Sequence, residues 1–346
     1  MKPGTQIKTT LRMTLLAMTV MLVLCPMPVS AITVTDDAGT TITLNTTPER
    51  IVSLSPSNTE ILAALGLLDK VVGVTDVCDY PPEVKNKTRV GGYSAISIEK
   101  VAVLKPDLVI ASDKTPKETV SRIKEIGVPV IVIAPKNVDH VIRDIGMIGR
   151  ITGTETQAEV IVANITRRIA KVSAVPGSNS PSVAHVVYYK PLTVSGNTTM
   201  QNDIISRTGG TNVFAGRNGW RTISLEEFLL ANPDIIIVSG GGGMDSSGRD
   251  VILDDFMTNS QYASLSAVKN HHVYAINADI ISRPGPRIAD AAEEVARIFH
   301  TVDEERTASL TATISTGTTK TPGFTAMLAG FSCILYFALY RRVKKQ

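Results

Sequence analysis

The chain has 346 residues, enough for two domains that each bury a core of their own. Its formal net charge is only +3, and several basic residues lie in the terminal segments, so no concentrated positive surface marks a nucleic-acid binder. Of three cysteines, Cys25 and Cys333 fall in apolar terminal segments, which leaves Cys78 alone in the folded body as a packed thiol without a disulfide partner there.

Lys2, Lys8 and Arg12 precede an apolar run from Leu15 to Leu24, and Val29-Ser30-Ala31 follows; residues 1–31 therefore read as a signal peptide cleaved after Ala31. Leu24 is not the small residue that a lipid-modified Cys25 would require. An extended segment, Ile32 to Leu44, lies in an N-terminal extension over 32–49. A first α/β lobe is expected over 50–150. Ile51 to Leu54 is an apolar strand, and Ser57-Asn-Thr-Glu60 has the spacing of a capping box that opens a helix running to Leu65 and stopping at Gly66. Val71 to Val74 is the next strand, and the long loop from Thr75 to Gly92 carries Asp79-Tyr80-Pro81-Pro82. Ser97 caps a helix that Pro106 ends. Strand Leu108 to Ala111, a helix over 116–126 closed by Gly127, and strand Val130 to Ile133 follow. Strands alternating with helices predict a parallel sheet covered on both faces.

Thr154-x-x-Gln157 has capping-box spacing, and Ala158, Ile161, Val162, Ile165, Ile169 and Val172 recur at helical period while Arg167, Arg168 and Lys171 fall off that stripe. The predicted helix, 151–175, is ~20 residues and ~30 Å long, enough to cross from one lobe to another. Pro176 to Pro181 breaks the chain. A second α/β lobe over 182–301 repeats the alternation: strand Val183 to Tyr189, a helix near 200–208 ended by Gly209-Gly210, a helix from Ser224, strand Ile235 to Val238, a turn at Gly240 to Gly243 and strand Val273 to Ile276. A closing helix follows Pro286, with Ile288, Ala291, Ala292, Val295 and Ile298 as its apolar face. Residues 302–323 read as a Thr/Ser-rich stalk without period. Phe324 to Tyr340 supplies seventeen uncharged residues, near the lower limit for a spanning helix, and the basic tail 341–346 puts that end in the cytoplasm and the body outside. Sequons at Asn45, Asn86, Asn164 and Asn197 suit an exported, glycosylated chain.

One pattern occurs twice. Gly92-Tyr93-Ser-Ala-Ile96-Ser97-Ile-Glu99, running through Pro106-Asp107 to Ile110, matches Gly219-Trp220-Arg-Thr-Ile223-Ser224-Leu-Glu226, running through Pro233-Asp234 to Ile237, with no gap and an offset of 127 residues (219 minus 92). That distance is too long for a solenoid, whose repeats run ~20–50 residues, and it implies two similar lobes. Each lobe thereby presents an aromatic, Tyr93 or Trp220, in a loop at the sheet edge, and an acid, Glu99 or Glu226, in the first turn of a helix. Two aromatics facing each other across a cleft suit a large, flat, partly apolar ligand; packing of each ring on its own helix is the plainer alternative. The acids either only complement the helix dipole or also grip a partner carrying two matched cations. Catalytic signatures are missing: there is no G-x-S-x-G elbow, Walker loop or H-E-x-x-H, and no Lys-Ser/Thr follows Gly240 to Gly243. His140, His185, His271, His272 and His300 share no metal-ligand spacing, so neither a metal nor a cofactor is expected.

These residues resemble the periplasmic-binding-protein-like family of cobalamin and iron-siderophore importers. The resemblance covers about Pro48 to Phe299 and is carried by Arg50-Ile-Val-Ser-Leu-Ser-Pro-Ser-Asn-Thr-Glu60, Asp79-Tyr-Pro-Pro82, Leu104-Lys-Pro-Asp-Leu-Val-Ile110, Ser195-Gly-x-x-x-Met200-Gln-Asn202, Gly209-Gly-x-Asn212 and Arg283-Pro-Gly-Pro-Arg287. It implies two Rossmann-like α/β lobes with parallel sheets joined by a single long helix, the class III solute-binding architecture. It implies no enzyme but a protein, monomeric when free, that captures a corrinoid and delivers it to an ABC permease dimer with its ATPase subunits. Ligand contacts are then expected from Tyr80, Tyr93, Trp220 and Arg283, and docking from Glu99 and Glu226. Departures from the cobalamin binders occur at Val77, Tyr93 and Ile280-Ile281, where those proteins carry aromatics or, for Tyr93, tryptophan. The second reading within the class is a ferric-siderophore or haem binder, with Arg221, Arg283 and Arg287 as cations for an anionic ligand. A metal- or tetrapyrrole-modifying enzyme would need an acid-base or metal-ligand set in the cleft, and a structural surface protein would have no cleft. Pro322-Gly323-Phe324 before the apolar segment resembles the archaeal PGF-CTERM sorting signal, which implies cleavage and replacement of that helix by a lipid, and in either form anchorage on the extracellular face of the membrane.

Overall fold

The structure, a computed structural model, describes residues 31–173, 180–241 and 250–317. Nearly all of the leader, the interior of the 174–179 break, the end of the glycine turn and everything after Gly317, including the apolar segment Phe324 to Tyr340, lie outside the described residues. Residues through Arg297 make one compact unit that contains all three sheets of the described residues, and the residues from Ile298 make another.

The chain opens with strands β1 (Ile32–Thr35) and β2 (Thr41–Leu44), an antiparallel hairpin. The first lobe then lays down β3 (Ile51–Ser53), α1 (Pro56–Ala64), β4 (Val71–Val74), β5 (Thr88–Arg89), α2 (Ile98–Val103), β6 (Leu108–Ser112), α3 (Lys117–Glu125) and β7 (Val130–Ile133). Its five strands run in the order β5-β4-β3-β6-β7, and every pair is parallel, which is the part the alternating pattern predicts. Val52, Leu54, Val101, Val109, Ile123 and Val130 form its core. The hairpin turn closes the β7 edge: Asp36 accepts from the Val132 amide at 3.0 Å and Asp37 from the Ala134 amide at 2.6 Å. An exposed sheet edge is an aggregation hazard, and covering it is the usual remedy.

Two capping expectations are corrected. The first helix starts ahead of Ser57, with Ser55 as N-cap accepting from the Asn58 amide, and Glu60 is drawn away from the helix end to arginines of the second lobe. Thr154 makes no side-chain cap; its hydroxyl pairs with Thr152 at 2.9 Å, and Gln157 donates to the Ala64 carbonyl. In both cases a tertiary partner outcompetes the local one.

The long helix expected over 151–175 is α5 (Glu155–Val172), and α4 (Val138–Thr152) precedes it and packs against it. Gly153, at φ +70°, separates them in the left-handed conformation that glycine adopts at little cost. A Cβ on Gly149 would lie 2.4 Å from that of Ala158, so the two helices touch where only a glycine fits. Val138, Val141, Ile145, Ile148 and Ile151 are buried at helical spacing. The second lobe reaches this pair directly: Asp203 accepts from the Val138 amide at 2.8 Å, Arg207 bonds Asp139 at 2.7 Å, and Arg168 is held by Asp290 and Glu293.

The second lobe contains β8 (Ser182–Tyr189), β9 (Leu192–Ser195), α6 (Met200–Arg207), β10 (Thr211–Asn212), β11 (Trp220–Thr222), α7 (Leu225–Ala231), β12 (Ile235–Gly240), α8 (Val251–Thr258), α9 (Ser266–Lys269), β13 (Val273–Asn277), α10 (Ala278–Ser282) and α11 (Ile288–Gly317). Its order is β11-β9-β8-β12-β13, with β10 also on β8. The β8, β12 and β13 pairs are parallel, but β9 and β11 are antiparallel, so this sheet is mixed. Only the residues Lys190-Pro191 separate β8 from β9, and so short a link can join antiparallel strands alone. Phe214, Phe228, Phe256 and Tyr262 interlock in the core, with centroid spacings of 5.7, 5.4 and 4.3 Å along the series.

The stalk expected from 302 is helical as far as Gly317, which corrects that boundary. The Thr307 hydroxyl donates to the Asp303 carbonyl and that of Thr311 to the Thr307 carbonyl, both at 2.9 Å. Threonine hydroxyls thus find acceptors inside the helix, and the intervening alanines are good helix formers. Among the described residues no helix is long and apolar enough to cross a membrane.

Candidate functional site

The repeat is a structural unit. Ser97 accepts from the Lys100 amide at 3.2 Å and Ser224 from the Glu227 amide at 3.1 Å, so α2 and α7 carry the same N-cap. Val101 and Phe228, at one offset, anchor the two helices in their cores. Lys105 (φ 45°) and Asn232 (φ 36°) close them in the left-handed region, again at one offset. The Pro-Asp that follows serves the scaffold. Asp107 accepts from the Glu49 and Arg50 amides at 2.7 and 2.9 Å, and Asp234 from the Ser182 amide at 2.9 Å, so each clasps the entry to its lobe's central strand. Glu99 and Glu226 are exposed. Their own backbone amides, then the capping serines, hold both carboxyls below the usual range, and the Ser97 hydroxyl donates to Glu99 at 2.9 Å.

The aromatics are half exposed, Tyr93 at 41% and Trp220 at 48%. Tyr93 bonds Ser112 at the carboxyl end of β6, and burial raises its phenol pKa. Trp220 opens edge strand β11 opposite Ser195; it therefore sits on a hydrogen-bonded frame, not in the expected loop. The loop after β6 joins the two aromatics. Lys114 lies 5.6 Å from the Trp220 ring centroid and 3.3 Å from Asp113, the residue after the Tyr93 partner. On the other side the Trp220 Nε1 is 3.5 Å from Gln201 Oε1, whose amide nitrogen donates to the Ile281 carbonyl at 3.2 Å. Lys114 thus ties the carboxyl end of β6 in the first lobe to Trp220 in the second; in open α/β sheets ligands bind outside the carboxyl ends of the strands.

The remaining two expected contacts are already engaged with each other's neighbours. Arg287 forks both oxygens of Glu60, at 2.7 and 2.9 Å, and its guanidinium covers the Tyr80 ring at 4.1 Å. Arg283 meets Glu60 at 3.3 Å, Asp79 at 2.6 Å and Asp279 at 2.8 Å. Hydrogen bonding from Arg283 holds the Asp79 carboxyl below its usual range. Glu60 is buried to 3% exposure and belongs to the first lobe, while both arginines belong to the second, so this is a clasp between lobes. Two cations face three carboxylates, which leaves no surplus positive charge in this clasp.

Residues 51–280 match the periplasmic binding protein family. The chain belongs to that family. An uncharacterised ABC transporter substrate-binding lipoprotein of Bacillus subtilis, YvrC, is 31% identical over 278 residues, 78% of this chain and 85% of that protein. The periplasmic vitamin B12 binding protein BtuF of Vibrio cholerae is similar in structure, with a TM-score of 0.66, 30% identity and coverage of 74% of this chain and 98% of its own. The periplasmic heme-binding protein RhuT of Roseiflexus sp. RS-1 has a TM-score of 0.65 at 28% identity, covering 73% and 98%.

In this periplasmic binding protein no group of three metal-ligating side chains suited to an ion occurs among the described residues. His185 lies in the interior of the second sheet between the Ser195 and Ser239 hydroxyls, at 2.8 and 3.3 Å, and burial depresses its pKa to about 3. It is a neutral core histidine. Cys78 is buried against Thr59 and Thr75, at 3.2 and 3.1 Å. Sequence reasoning missed Lys114, Gln201 and the true partner of Glu60. Glu60 did carry a signal: a carboxylate beside Ile61 and Leu62 in an apolar helix must find a cation when buried.

Proposed function

We propose that this periplasmic binding protein is the solute-binding component of an ABC importer and carries a corrinoid between its lobes. The reading is supported chiefly by two matched, half-exposed aromatics, one per lobe, and by the neutralisation of Arg283 and Arg287 by Glu60, Asp79 and Asp279. A corrin ring rimmed with neutral amides matches broad aromatic faces and makes little demand for free cations. Haem, with its two propionates, and the anionic ferric siderophores call for surplus positive charge. The names of the relatives support the same class, since one binds vitamin B12 and another heme. Ligand contacts fall to Tyr93 and Trp220 first; Tyr80 and Arg283 contribute from the clasp side, through the exposed part of the tyrosine ring and without leaving their carboxylates. Limited lobe movement follows from the helix pair and the clasp. Glu99 and Glu226 then dock the loaded protein on a permease dimer. The work takes place on the extracellular face of the membrane, with the segment after Gly317, or a lipid that replaces its apolar part, as the anchor.

Calorimetry of the fragment from Ile32 to Gly317 with cobalamin, cobinamide, haem and a ferric siderophore tests the ligand. Cobalamin or cobinamide should bind and quench Trp220, the one tryptophan of the chain. Haem binding with no corrinoid binding would establish the second reading, for which Lys114 over the Trp220 ring and the exposed Arg221 next to it are the cations. No binding by any of the four would refute the importer reading in this form, with a corrinoid, haem or ferric siderophore as its cargo. Mass spectrometry of the membrane-extracted protein decides between an intact terminus and a lipid-bearing truncated one.

A further inference from the structure

The repeat carries one more matched pair. Val103 and Leu230 share the 127-residue offset (230 minus 103), and each lies four residues after the glutamate of its lobe. Val103 is 80% exposed and Leu230 88%, the two highest values for large hydrophobic side chains among the described residues. The other exposed ones, Tyr80, Tyr93 and Trp220 among them, range from 41% to 59%. Neither residue serves the fold, because Val101 and Phe228 already anchor α2 and α7. Residues four apart on a helix share a face, with Cβ atoms ~5–6 Å from each other. Both lobes therefore present the same doublet, an ionised acid with an aliphatic side chain beside it. A single exposed aliphatic on a surface needs no explanation. Two at one offset, beside matched acids, on helices with the same cap and the same left-handed exit, do.

We propose that Val103 and Leu230 are the apolar half of a two-point docking surface, each acid-aliphatic doublet seating on one subunit of a two-fold symmetric permease. The proposal rests on the importer reading above and adds to it the residues that give the contact its lifetime. Its occupant follows from the doublets themselves. Two equivalent surfaces on one chain are met by two equivalent surfaces on a symmetric dimer. Carboxylates fully ionised at neutral pH call for a cation on each subunit, and the aliphatic side chain calls for an apolar socket ~5–6 Å from it. The charges steer and orient the encounter, while the desolvated aliphatic contact slows dissociation.

The test measures binding of the full-length protein to the permease–ATPase complex of the same organism in lipid nanodiscs. Wild type is compared with Val103→Ser/Leu230→Ser and with Glu99→Ala/Glu226→Ala. The serine pair should weaken Kd by about 10- to 100-fold, nearly all in the dissociation rate and with unchanged salt dependence. The alanine pair should slow association and flatten the salt dependence. Cobinamide affinity and Tm should stay at wild-type values in both, which shows that the fold is intact. A serine pair that binds the permease like wild type overturns the inference and leaves the importer reading standing. Failure of wild type itself to bind the permease overturns the importer reading, and the inference with it. Self-association of wild type that the serine pair abolishes would assign the doublets to a second copy. Binding to protein-free anionic vesicles that the serine pair abolishes would assign them to lipid. Either result overturns the proposal. Leu230→Glu alone supplies a second check: an unpaired carboxylate forced into an apolar socket should weaken docking further than Leu230→Ser does.

Discussion

Two buried ionisable side chains pull the stability of this protein in opposite directions as pH changes. Asp144 in α4 is fully buried, one of its oxygens has no partner, and burial together with nearby Asp37 raises its pKa to about 7 in spite of Arg143. An acid whose folded pKa lies above its unfolded value binds more protons folded than unfolded between those pH values. Its contribution to stability therefore falls as pH rises from about 4 to about 7. His185 is the reverse case: its folded pKa of about 3 lies below the usual histidine value, so stability rises with pH from about 3 to about 6.5. Asp144→Asn should remove the first slope. The variant should gain on the order of 2–4 kcal/mol at pH 8 relative to wild type, and show an uncovered rise between pH 4 and 6.5 in urea titrations. A wild-type profile in the variant would mean that Asp144 is ionised in the folded protein throughout. At the same scale, Trp220→Ala and Tyr93→Ala should each lower corrinoid affinity about 10- to 100-fold while Tm moves little, since both rings are half exposed. Equal affinity in either variant would show that its ring packs on its own lobe only.

Elements were legible where their signal is local. The strands of the first lobe and the helices opened by Ser97 and Ser224 form where period, cap and terminating residue all agree. The capping boxes at Ser57 and Thr154 have equally good spacing and are not made, because Glu60 and Gln157 bond residues far along the chain. α4 has a clear apolar period, yet its end at Gly153 and its contact with α5 depend on a glycine whose significance appears only when Ala158 is found against it. Gly149→Val should force those helices apart, costing about 2–4 kcal/mol as overpacking does at a tight contact. Denaturant midpoints check this, and a loss below about 0.5 kcal/mol, the level of an ordinary surface substitution, would mean the crossing can relax freely.

At the scale of the whole molecule, the lobes are linked by more than covalent connection. The Glu60 clasp, the Asp203 and Arg207 contacts with α4 and the Arg168 pairs all span them. Breaking a buried ion pair on one side strands the other, so Glu60→Gln should cost about 3 kcal/mol. It should also raise haem affinity relative to cobinamide, because Arg287 loses its carboxylate and becomes available to an anion. Unchanged stability, or an unchanged ratio of affinities, would mean that the clasp has no part in choosing the ligand. For transport, Glu99→Ala with Glu226→Ala should leave corrinoid affinity as it is and abolish uptake in cells. Uptake at the wild-type rate would reduce both glutamates to helix-end acids.

The 127-residue repeat is written in adjacent residues, and the caps at Ser97 and Ser224, the helix ends at Gly66 and Gly127 and the alternation that makes the first sheet parallel follow from short-range rules; these the amino-acid order determines by itself. Which charges remain free is a different matter. Arg283 and Arg287 look like ligand groups in one dimension, and Glu60, 223 and 227 residues away, looks like a cap. Only folding both lobes against each other turns them into one neutralised cluster, because Coulomb attraction depends on distance in space and on exclusion of water. The tertiary structure likewise decided that Trp220 stands on an edge strand with Lys114 beside it, and that Val103 and Leu230, ordinary aliphatics in the sequence, are the ones left facing solvent.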